Sequence, residues 1–117
     1  SIEIFQSEYE IKNLKKLRGK KILAFAGIGN PNNFFKLLKD NGLKIKQEIS
    51  FPDHYNYKKI EIKNLILLAK EKGLKLITTE KDYFRIKQLG FKKIDYVSVN
   101  LKIINFKSFE KELLRNL

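Results

Sequence analysis

Residues 22–31 have the sequence ILAFAGIGNP, a continuous apolar run that ends in a glycine-containing turn. An uninterrupted run of this kind is typical of a parallel strand that is buried on both faces, because helices cover both sides of such a sheet. Gly27 to Asn30 predict a tight turn, with Asn30 as the N-cap residue and Pro31 as the first residue of a helix. We therefore expect a central strand, a turn and a helix in this segment.

Strand and helix patterns alternate along the rest of the chain. Residues 43–51 alternate apolar and polar side chains and predict an edge strand, while residues 74–78 and 96–101 predict two more strands. Apolar residues at helical spacing predict the inward faces of three helices: Phe34, Leu37 and Leu38; Ile62, Leu65, Ile66 and Ala69; Ile86 and Leu89.

Right-handed crossovers between these elements predict an α/β fold. The expected architecture is a mainly parallel sheet of four to five strands with helices on both faces, a Rossmann-like three-layer sandwich. With the strands that begin near Ile22 and Leu74 in the centre, the four main strands should lie in the spatial order second, first, third, fourth. The loops that follow the first three of these strands then gather at one end of the sheet, where open α/β sheets bind their ligands.

The two ends of the chain carry less regular patterns. Residues 2–9 predict a short strand, and residues 12–21 hold six Lys and Arg without an acidic residue, which favours a solvated helical turn over a phosphate or lipid contact. Ser108 predicts the N-cap of a last helix whose apolar face includes Phe109, Leu113 and Leu117. We expect residues 1–19 to form a linker strand and basic connector, and residues 20–117 to form one α/β domain. Because the chain lacks Met and starts in a strand pattern, we interpret it as a piece of a longer protein.

Composition limits the chemistry that the chain can perform. It has 117 residues, no cysteine and one histidine, so neither thiolate chemistry nor a dedicated zinc site is expected, and we predict no metal site. No apolar run approaches the length needed to cross a bilayer. The formal net charge of +12 favours an anionic partner, which can be nucleic acid, a phosphate compound or an acidic membrane surface.

The segment 50–55, SFPDHY, contains the single histidine and one of two prolines. Pro52 favours an extended residue before it and the end of the strand, so Asp53 and His54 should lie side by side in a loop. A carboxylate that orients an imidazole is a catalytic arrangement, since histidine titrates near neutral pH. The alternative is that Asp53 only starts a turn and His54 only lies at the surface, and the loop alone does not choose between these interpretations.

Two further loops carry weaker signals. Gly27-Ile28-Gly29 follows a strand, but Asn32 stands where a dinucleotide fingerprint requires its third glycine, so that function is rejected. Gly27, Gly29 and Asn30 either hold an anion or simply connect strand and helix. Residues 79–82, TEKD, predict a capping box formed by Thr79 and Asp82, while Lys81 near the helix start is able to reach a phosphate.

The chain contains three motifs in this order: residues 24–31 (AFAGIGNP) with Phe34-Phe35, residues 51–54 (FPDH), and residues 78–82 (TTEKD) with Arg85. Together they resemble the C-terminal part of the tetraacyldisaccharide 4'-kinase family. The resemblance covers about residues 20–101. It implies an enzyme of lipid A synthesis that transfers the ATP γ-phosphate to the 4'-hydroxyl of a tetraacyldisaccharide 1-phosphate, at the cytoplasmic face of the inner membrane.

The resemblance also implies that a separate N-terminal lobe holds the P-loop, the magnesium-binding carboxylates and a catalytic aspartate, none of which has a counterpart here. ATP and Mg are then bound mainly by that lobe, so this chain is expected to hold neither cofactor and to be inactive alone. The implied catalytic residue is His54, acting beside the N-terminal aspartate, and we expect Asp53 to take part by orienting its imidazole. The loop residues implied to lie near the interlobe cleft are Gly27, Gly29, Asn30, Thr79, Lys81 and Asp82. The implied partners are the N-terminal lobe, the lipid A disaccharide precursor and an anionic membrane surface.

The alternative to a kinase lobe is a free-standing basic module that binds RNA or another polyanion. The +12 charge and the aromatic residues among the lysines motivate it. A nucleic-acid platform needs exposed aromatic rings, whereas Phe25, Phe34 and Phe109 fall on expected core faces. This placement disfavours nucleic acid as a partner.

Overall fold

The computed structural model describes the backbone of residues 7–11 and 13–103 and the side chains of residues 13–98. These residues form two compact units, one that contains the first and last strands and one that spans residues 13–98. The elements in chain order are β1 (Ser7–Ile11), α1 (Leu14–Leu17), β2 (Lys21–Ala26), α2 (Pro31–Asp40), β3 (Lys44–Ser50), α3 (Lys59–Lys72), β4 (Lys75–Thr79), α4 (Glu80–Lys87), β5 (Asp95–Val97) and β6 (Val99–Ile103).

The larger unit is built on a four-stranded sheet with the strand order β3-β2-β4-β5. All three strand pairs are parallel. The predicted α/β class and the predicted order of the four main strands are therefore confirmed. β2 lies inside the sheet with residues 22–26 fully buried, whereas β3 alternates exposed and half-buried residues, as expected for an edge strand.

The helices pack on both faces of this sheet. Leu23 and Phe25 of β2 point to one face and join the core formed with α3 and α4. The alternating residues of β2 point to the other face, where right-handed crossover places α2. The buried residues of the three helices are Phe34, Phe35 and Leu38 of α2, Ile62, Leu65 and Ala69 of α3, and Asp82 and Ile86 of α4.

Three residues predicted to face inward are less buried than expected. Leu37 and Leu89 are half-buried, and Ile66 remains 37% exposed because it borders an open cavity at the end of α3. Phe35, which the pattern did not place inward, is buried. The predicted start of α2 is confirmed, with Asn30 as the N-cap residue and Pro31 as the first helical residue, and α3 ends at Gly73, which has a left-handed conformation.

The prediction of one strand over residues 96–101 was wrong. β5 ends at Val97 and pairs with β4, whereas β6 begins at Val99 and pairs antiparallel with β1. Ser98 separates them, because its backbone N–H donates to the side chain of Asn13 at 3.4 Å instead of continuing a sheet ladder.

The remaining expectations for the two ends of the chain have mixed outcomes. Within the basic segment, Leu14–Leu17 form the short helix α1, in agreement with the predicted helical turn. The first strand is seen at Ser7–Ile11, and the earlier part of that prediction lies outside the described residues, as does the helix predicted from Ser108 with Phe109, Leu113 and Leu117. The domain division after residue 19 stays a prediction. Among the described helices, none has the length and apolar content needed to cross a membrane.

Candidate active site

Three loops meet where β2, β3 and β4 end. The backbone N–H of Phe51, just after β3, donates to the carbonyl of Ala26 at 2.8 Å. Three residues later in the same loop, the N–H of His54 donates to the carbonyl of Gly27 at 3.2 Å. The loops are close enough that a Cβ built on Gly29 would lie 3.4 Å from a carboxylate oxygen of Asp53. The segments that the sequence singled out are thus neighbours in the fold.

Asp82 ties these loops together from inside the protein. Its side chain is fully buried, although it lies in the first turn of α4. One carboxylate oxygen accepts from the backbone N–H of Gly27 at 3.0 Å and from the hydroxyl of Thr79 at 2.7 Å. The other oxygen accepts from the hydroxyl of Tyr57 at 3.0 Å. A carboxylate with these partners fixes the position of the turn after β2 relative to α4.

Glycine is required at position 27 by this arrangement. A Cβ at Gly27 would lie 2.8 Å from the hydroxyl oxygen of Tyr57 and 3.2 Å from the carboxylate of Asp82. Both atoms are buried and held by hydrogen bonds, so they have no room to move away. The first glycine of the turn therefore serves a close approach between loops.

Arg85 lies one helical turn after Asp82 and joins the same network. Its Nη1 donates to the carbonyl of Gly27 at 3.1 Å and lies 3.7 Å from the Asp82 carboxylate. Its Nη2 lies 2.9 Å from Nδ1 of His54. Gly27 is therefore held at its N–H by Asp82 and at its carbonyl by both Arg85 and His54.

His54 is presented at the surface of this framework. Its side chain is 69% exposed, and its backbone has a φ of +57°, in the left-handed region that non-glycine residues rarely occupy. Such a conformation persists only where neighbouring contacts enforce it, and it occurs preferentially at functional sites. Here the backbone hydrogen bond to Gly27 and the side-chain contact with Arg85 hold it in place.

Asp53 does not hydrogen-bond to the imidazole. Its carboxylate lies 3.7 Å from Nε2 of His54, beyond hydrogen-bond range, and 48% of its side chain is exposed. The two groups are close enough to attract when the imidazole is charged. The orienting contact that the sequence assigned to Asp53 is made by Arg85 instead.

An aromatic cluster joins the loop that contains His54 to the core. The rings of Phe51, Tyr55 and Tyr57 lie with centroids 4.9 to 5.2 Å apart, and Phe25 of the core packs edge-on against Phe51 and Tyr57. Burial, together with the negative charge of Asp82, raises the pKa of Tyr57 far above its usual range, so the phenol stays a donor. This packing limits the conformations open to the loop on either side of His54.

Tyr55 also anchors the loop to α3. Its hydroxyl donates to Glu61 at 2.5 Å. This hydrogen bond raises the pKa of Tyr55 and is the main cause that lowers the pKa of Glu61. Glu61 accepts in addition from the backbone N–H of Lys58, which closes the N-terminus of α3.

His54 and Arg85 open onto a pocket of about 270 Å³. The other residues that line it are Tyr55, Asn56, Tyr57, Gln88 and Leu89. A larger cavity of about 700 Å³ lies at the opposite, amino end of the strands, between the end of α3 and residues 90–95, and none of the predicted site residues lines it. Among the predicted site residues, His54 lines the smaller pocket, where it meets Arg85.

The helix-capping interpretations of Asn30 and Thr79 are confirmed. The side chain of Asn30 accepts from the N–H of Asn33 at 3.4 Å, and that of Thr79 accepts from the N–H of Asp82 at 3.0 Å. The second half of the predicted capping box is different, because the Asp82 carboxylate turns inward to Gly27 and Tyr57. Lys81 is exposed on α4, and its contact with a phosphate stays a prediction.

Sequence reasoning about the site missed the roles of Arg85 and Tyr57. For Arg85 a signal existed, since a residue three positions after Asp82 shares its helix face. For Tyr57 the only signal was its place in the aromatic run after His54. Within the part of the chain that the structure describes, no group of three or more His, Cys, Asp or Glu side chains is close enough to hold a metal ion.

Comparison with known proteins gives one consistent family. The family model described as "Tetraacyldisaccharide-1-P 4'-kinase" matches residues 3–117. The tetraacyldisaccharide 4'-kinase of Pelagibacter ubique (strain HTCC1062) is 36% identical over 116 residues, which is 98% of this chain and 37% of that protein. The tetraacyldisaccharide 4'-kinase of Bartonella quintana (strain Toulouse) is 52% identical over 71 residues, which is 61% of this chain and 21% of that protein.

A solved structure agrees with these sequence matches. The crystal structure of the "apo" form of LpxK from Aquifex aeolicus in complex with ATP superposes with a TM-score of 0.53 at 31% identity, and the match covers 86% of this chain. It covers only 29% of the Aquifex chain. The matches thus span between 21% and 37% of the length of these three proteins.

Proposed function

The chain belongs to the tetraacyldisaccharide-1-P 4'-kinase family, and from this membership we propose that it forms the C-terminal lobe of such a kinase. The reaction is transfer of the ATP γ-phosphate to the 4'-hydroxyl of a tetraacyldisaccharide 1-phosphate. The observation that carries the proposal is the exposed His54, held in a left-handed conformation at the carboxyl end of the sheet by a buried network. A surface histidine without a function would not need these contacts.

The chemistry divides between this chain and a further lobe. Phosphoryl transfer depends mainly on positioning and on neutralising charge. When bound, ATP supplies the phosphoryl group and Mg²⁺ neutralises its charge, and we assign both mainly to the N-terminal lobe, as the family resemblance implies. His54 acts beside a carboxylate of that lobe on the sugar hydroxyl, and the carboxylate of Asp53 lies 3.7 Å from its Nε2. The chain alone is therefore expected to be inactive.

The turn after β2 and the start of α4 set the distance between His54 and the substrate in this proposal. Gly27, Gly29 and Asn30 lie on this chain's side of the interlobe cleft, together with Thr79, Lys81 and Asp82 of the neighbouring loop. Asp82 contributes only through its neighbours, since a fully buried side chain does not reach a ligand. Lys81 is exposed and free to approach a phosphate group.

The proposed setting is the cytoplasmic face of the inner membrane, where a disaccharide with acyl chains is embedded. The formal charge of +12 suits a protein that works beside anionic lipid. The burial of Phe25 and Phe34 removes two of the aromatic rings that an RNA-binding platform would need, so nucleic acid is not favoured as a partner.

The test of the proposal is His54→Ala in a full-length kinase that contains this chain. A positioned group that moves a proton or donates a hydrogen bond at the reaction centre is worth about 10²- to 10⁴-fold in rate, so kcat should fall by that factor while the melting temperature stays unchanged. Lys46→Ala, on the exposed side of β3, is the matched control and should leave kcat unaltered. A kcat within a few-fold of wild type for His54→Ala, or a loss that only follows a lower melting temperature, would contradict the proposal.

A further inference from the structure

The contact between Arg85 and His54 fixes which ring nitrogen of the histidine carries the proton. A guanidinium group has only N–H donors and no acceptor. Its Nη2 lies 2.9 Å from Nδ1 of His54, so Nδ1 has to be the unprotonated, accepting nitrogen. We infer that Arg85 holds His54 as the tautomer with its proton on Nε2, so that the histidine presents a hydrogen-bond donor to the cleft.

Arg85 is held firmly enough to impose this choice. Only 26% of its side chain is exposed, and its other terminal nitrogen, Nη1, donates to the carbonyl of Gly27 and lies 3.7 Å from the buried Asp82 carboxylate. With Nη1 held in this way, the planar group has little freedom to turn its Nη2 away from the imidazole. The backbone N–H of His54 donates to the same Gly27 carbonyl, which keeps the histidine within reach.

The surroundings of the second ring nitrogen favour the same tautomer. The charged groups that face the imidazole are Arg85 at Nδ1 and the carboxylate of Asp53, 3.7 Å from Nε2. An acceptor near Nε2 stabilises a proton there, whereas a proton on Nδ1 would point an N–H at the donors of Arg85. Arg85 and Asp53 therefore both favour the tautomer that carries its proton on Nε2.

For the proposed kinase this assigns His54 a defined part. As an Nε2–H donor it does not take up the proton of the 4'-hydroxyl. It donates to an oxygen at the reaction centre, and the hydroxyl proton passes to the carboxylate of the N-terminal lobe. The bond from the 4'-oxygen to the γ-phosphorus forms as the bond to the ADP oxygen breaks. Arg85 is then a positioning residue, acting through His54. This consequence rests on the proposed function, whereas the tautomer assignment concerns this chain alone.

The tautomer can be measured directly, because the chain contains a single histidine. Long-range ¹H–¹⁵N correlation spectra of the labelled chain, recorded with the imidazole neutral, should show a protonated Nε2 and an unprotonated Nδ1. Arg85→Met removes the donor and retains the apolar stem, and it should shift both nitrogen signals toward the averaged values of exchanging tautomers. Lys81→Met is the matched control, since it removes one positive charge from the same helix and should leave the wild-type pattern.

A proton on Nδ1, or averaged tautomers in the wild-type chain, would overturn the inference, and so would an unchanged pattern in a folded Arg85→Met variant. If Arg85→Met does not fold, the wild-type spectrum still decides, and Arg85→Lys, which keeps a donor, should retain the wild-type tautomer.

The part that Arg85 plays in the reaction needs a separate measurement in the full-length kinase. Arg85→Met should lower kcat by about 10- to 100-fold with little change in KM, because the histidine loses its orientation. Arg85→Lys should recover part of the loss. If the tautomer is as stated but Arg85→Met leaves kcat unchanged, the positioning role is refuted. If His54→Ala also leaves kcat unchanged, the proposed function itself fails.

Discussion

Asp82 carries more of the site's geometry than its place in the sequence suggests. A carboxylate in the first turn of a helix ordinarily serves the helix itself, by capping it or by facing the helix dipole. Here it is fully buried and accepts from Gly27, Thr79 and Tyr57 at the same time. One side chain therefore joins α4 to the turn after β2 and to the loop that follows β3.

Replacing Asp82 should weaken the fold strongly even by an isosteric change. In Asp82→Asn, the amide group would point its own donors at the N–H of Gly27 or the hydroxyl of Tyr57, leaving at least one buried donor without a partner. We expect the free energy of unfolding to fall by about 2–4 kcal/mol. Asp40→Asn, which alters an exposed pair with Lys36, should change it by less than about 1 kcal/mol. Chemical denaturation of both variants tests this, and equal losses would refute the role of Asp82.

The two glycines of the turn should respond differently to alanine. A Cβ at Gly27 meets the buried hydroxyl of Tyr57 at 2.8 Å, whereas a Cβ at Gly29 meets only the exposed carboxylate of Asp53 at 3.4 Å. Gly27→Ala should therefore destabilise the protein by about 1–3 kcal/mol, the range of overpacking changes. Gly29→Ala should be tolerated within about 0.5 kcal/mol. Thermal unfolding of the two variants checks the difference, and an intolerant Gly29→Ala would show that the turn is tighter than described.

At the level of secondary structure, the order of strands and helices could be predicted because each element carries a local signal. The apolar run of β2 and the alternation of β3 distinguish a central strand from an edge strand by burial alone. Asn30, Pro31 and Gly73 mark helix ends through backbone conformations that those residues favour.

What could not be predicted depends on contacts between distant elements. Residues 96–101 show one uninterrupted strand pattern. Only their pairing with two different partner strands reveals that they belong to two strands. The inward turn of Asp82 depends in the same way on Tyr57 and Gly27, which are 25 and 55 residues away in the chain. The left-handed backbone of His54 follows from Gly27 and Arg85, not from its neighbours in sequence.

Asp95 links α1, β4 and β5 through ion pairs with Lys16 at 3.0 Å and Lys75 at 2.6 Å. Burial acts to raise the pKa of Asp95, but the hydrogen bonds from Lys75 and Lys16 outweigh it, and the pKa is lowered. A carboxyl group with a lowered pKa in the folded state stabilises the fold above its unfolded-state pKa and loses this effect as pH falls through the folded-state value. Part of the stability of this corner of the sheet should therefore disappear in acid.

The prediction for Asp95→Asn is a loss of stability that depends on pH. The variant should be less stable than wild type at neutral pH, and the difference should shrink as the pH is lowered through the folded-state pKa of Asp95. Denaturant titrations over a pH series measure it. The exposed Asp40→Asn is again the comparison, with little expected effect at either end of the range. A difference that is constant with pH would mean that Asp95 acts through packing and not through charge.

Considered as a whole, the molecule combines a buried, well-connected sheet with a surface of strong positive charge. The formal charge is +12, and in the described part of the chain Lys16, Lys36, Lys39 and Lys75 form ion pairs with acidic residues. The remaining positive charge is a property of the surface, and it acts on partners over a distance that salt shortens.

Binding to lipid vesicles should therefore depend on lipid charge and on salt. The chain should sediment with vesicles that contain an anionic phospholipid at low ionic strength and be released at moderate ionic strength. Vesicles made only of a zwitterionic phospholipid are the control and should bind little. Equal sedimentation with both vesicle types would contradict an electrostatic association, and tight RNA binding that resists salt would favour the polyanion-binding alternative.

The hydrogen bonds at both the N–H and the carbonyl of Gly27 have a consequence for hydrogen exchange. Amides in loops usually exchange quickly, because small local openings expose them to water. The N–H of Gly27 is bonded to a carboxylate that is itself fully buried, so solvent reaches it only when α4 separates from the turn after β2. This one loop amide should exchange as slowly as those of the central strands. Its exchange rate then reports, without ligand or turnover, how often α4 and the turn after β2 separate beside His54.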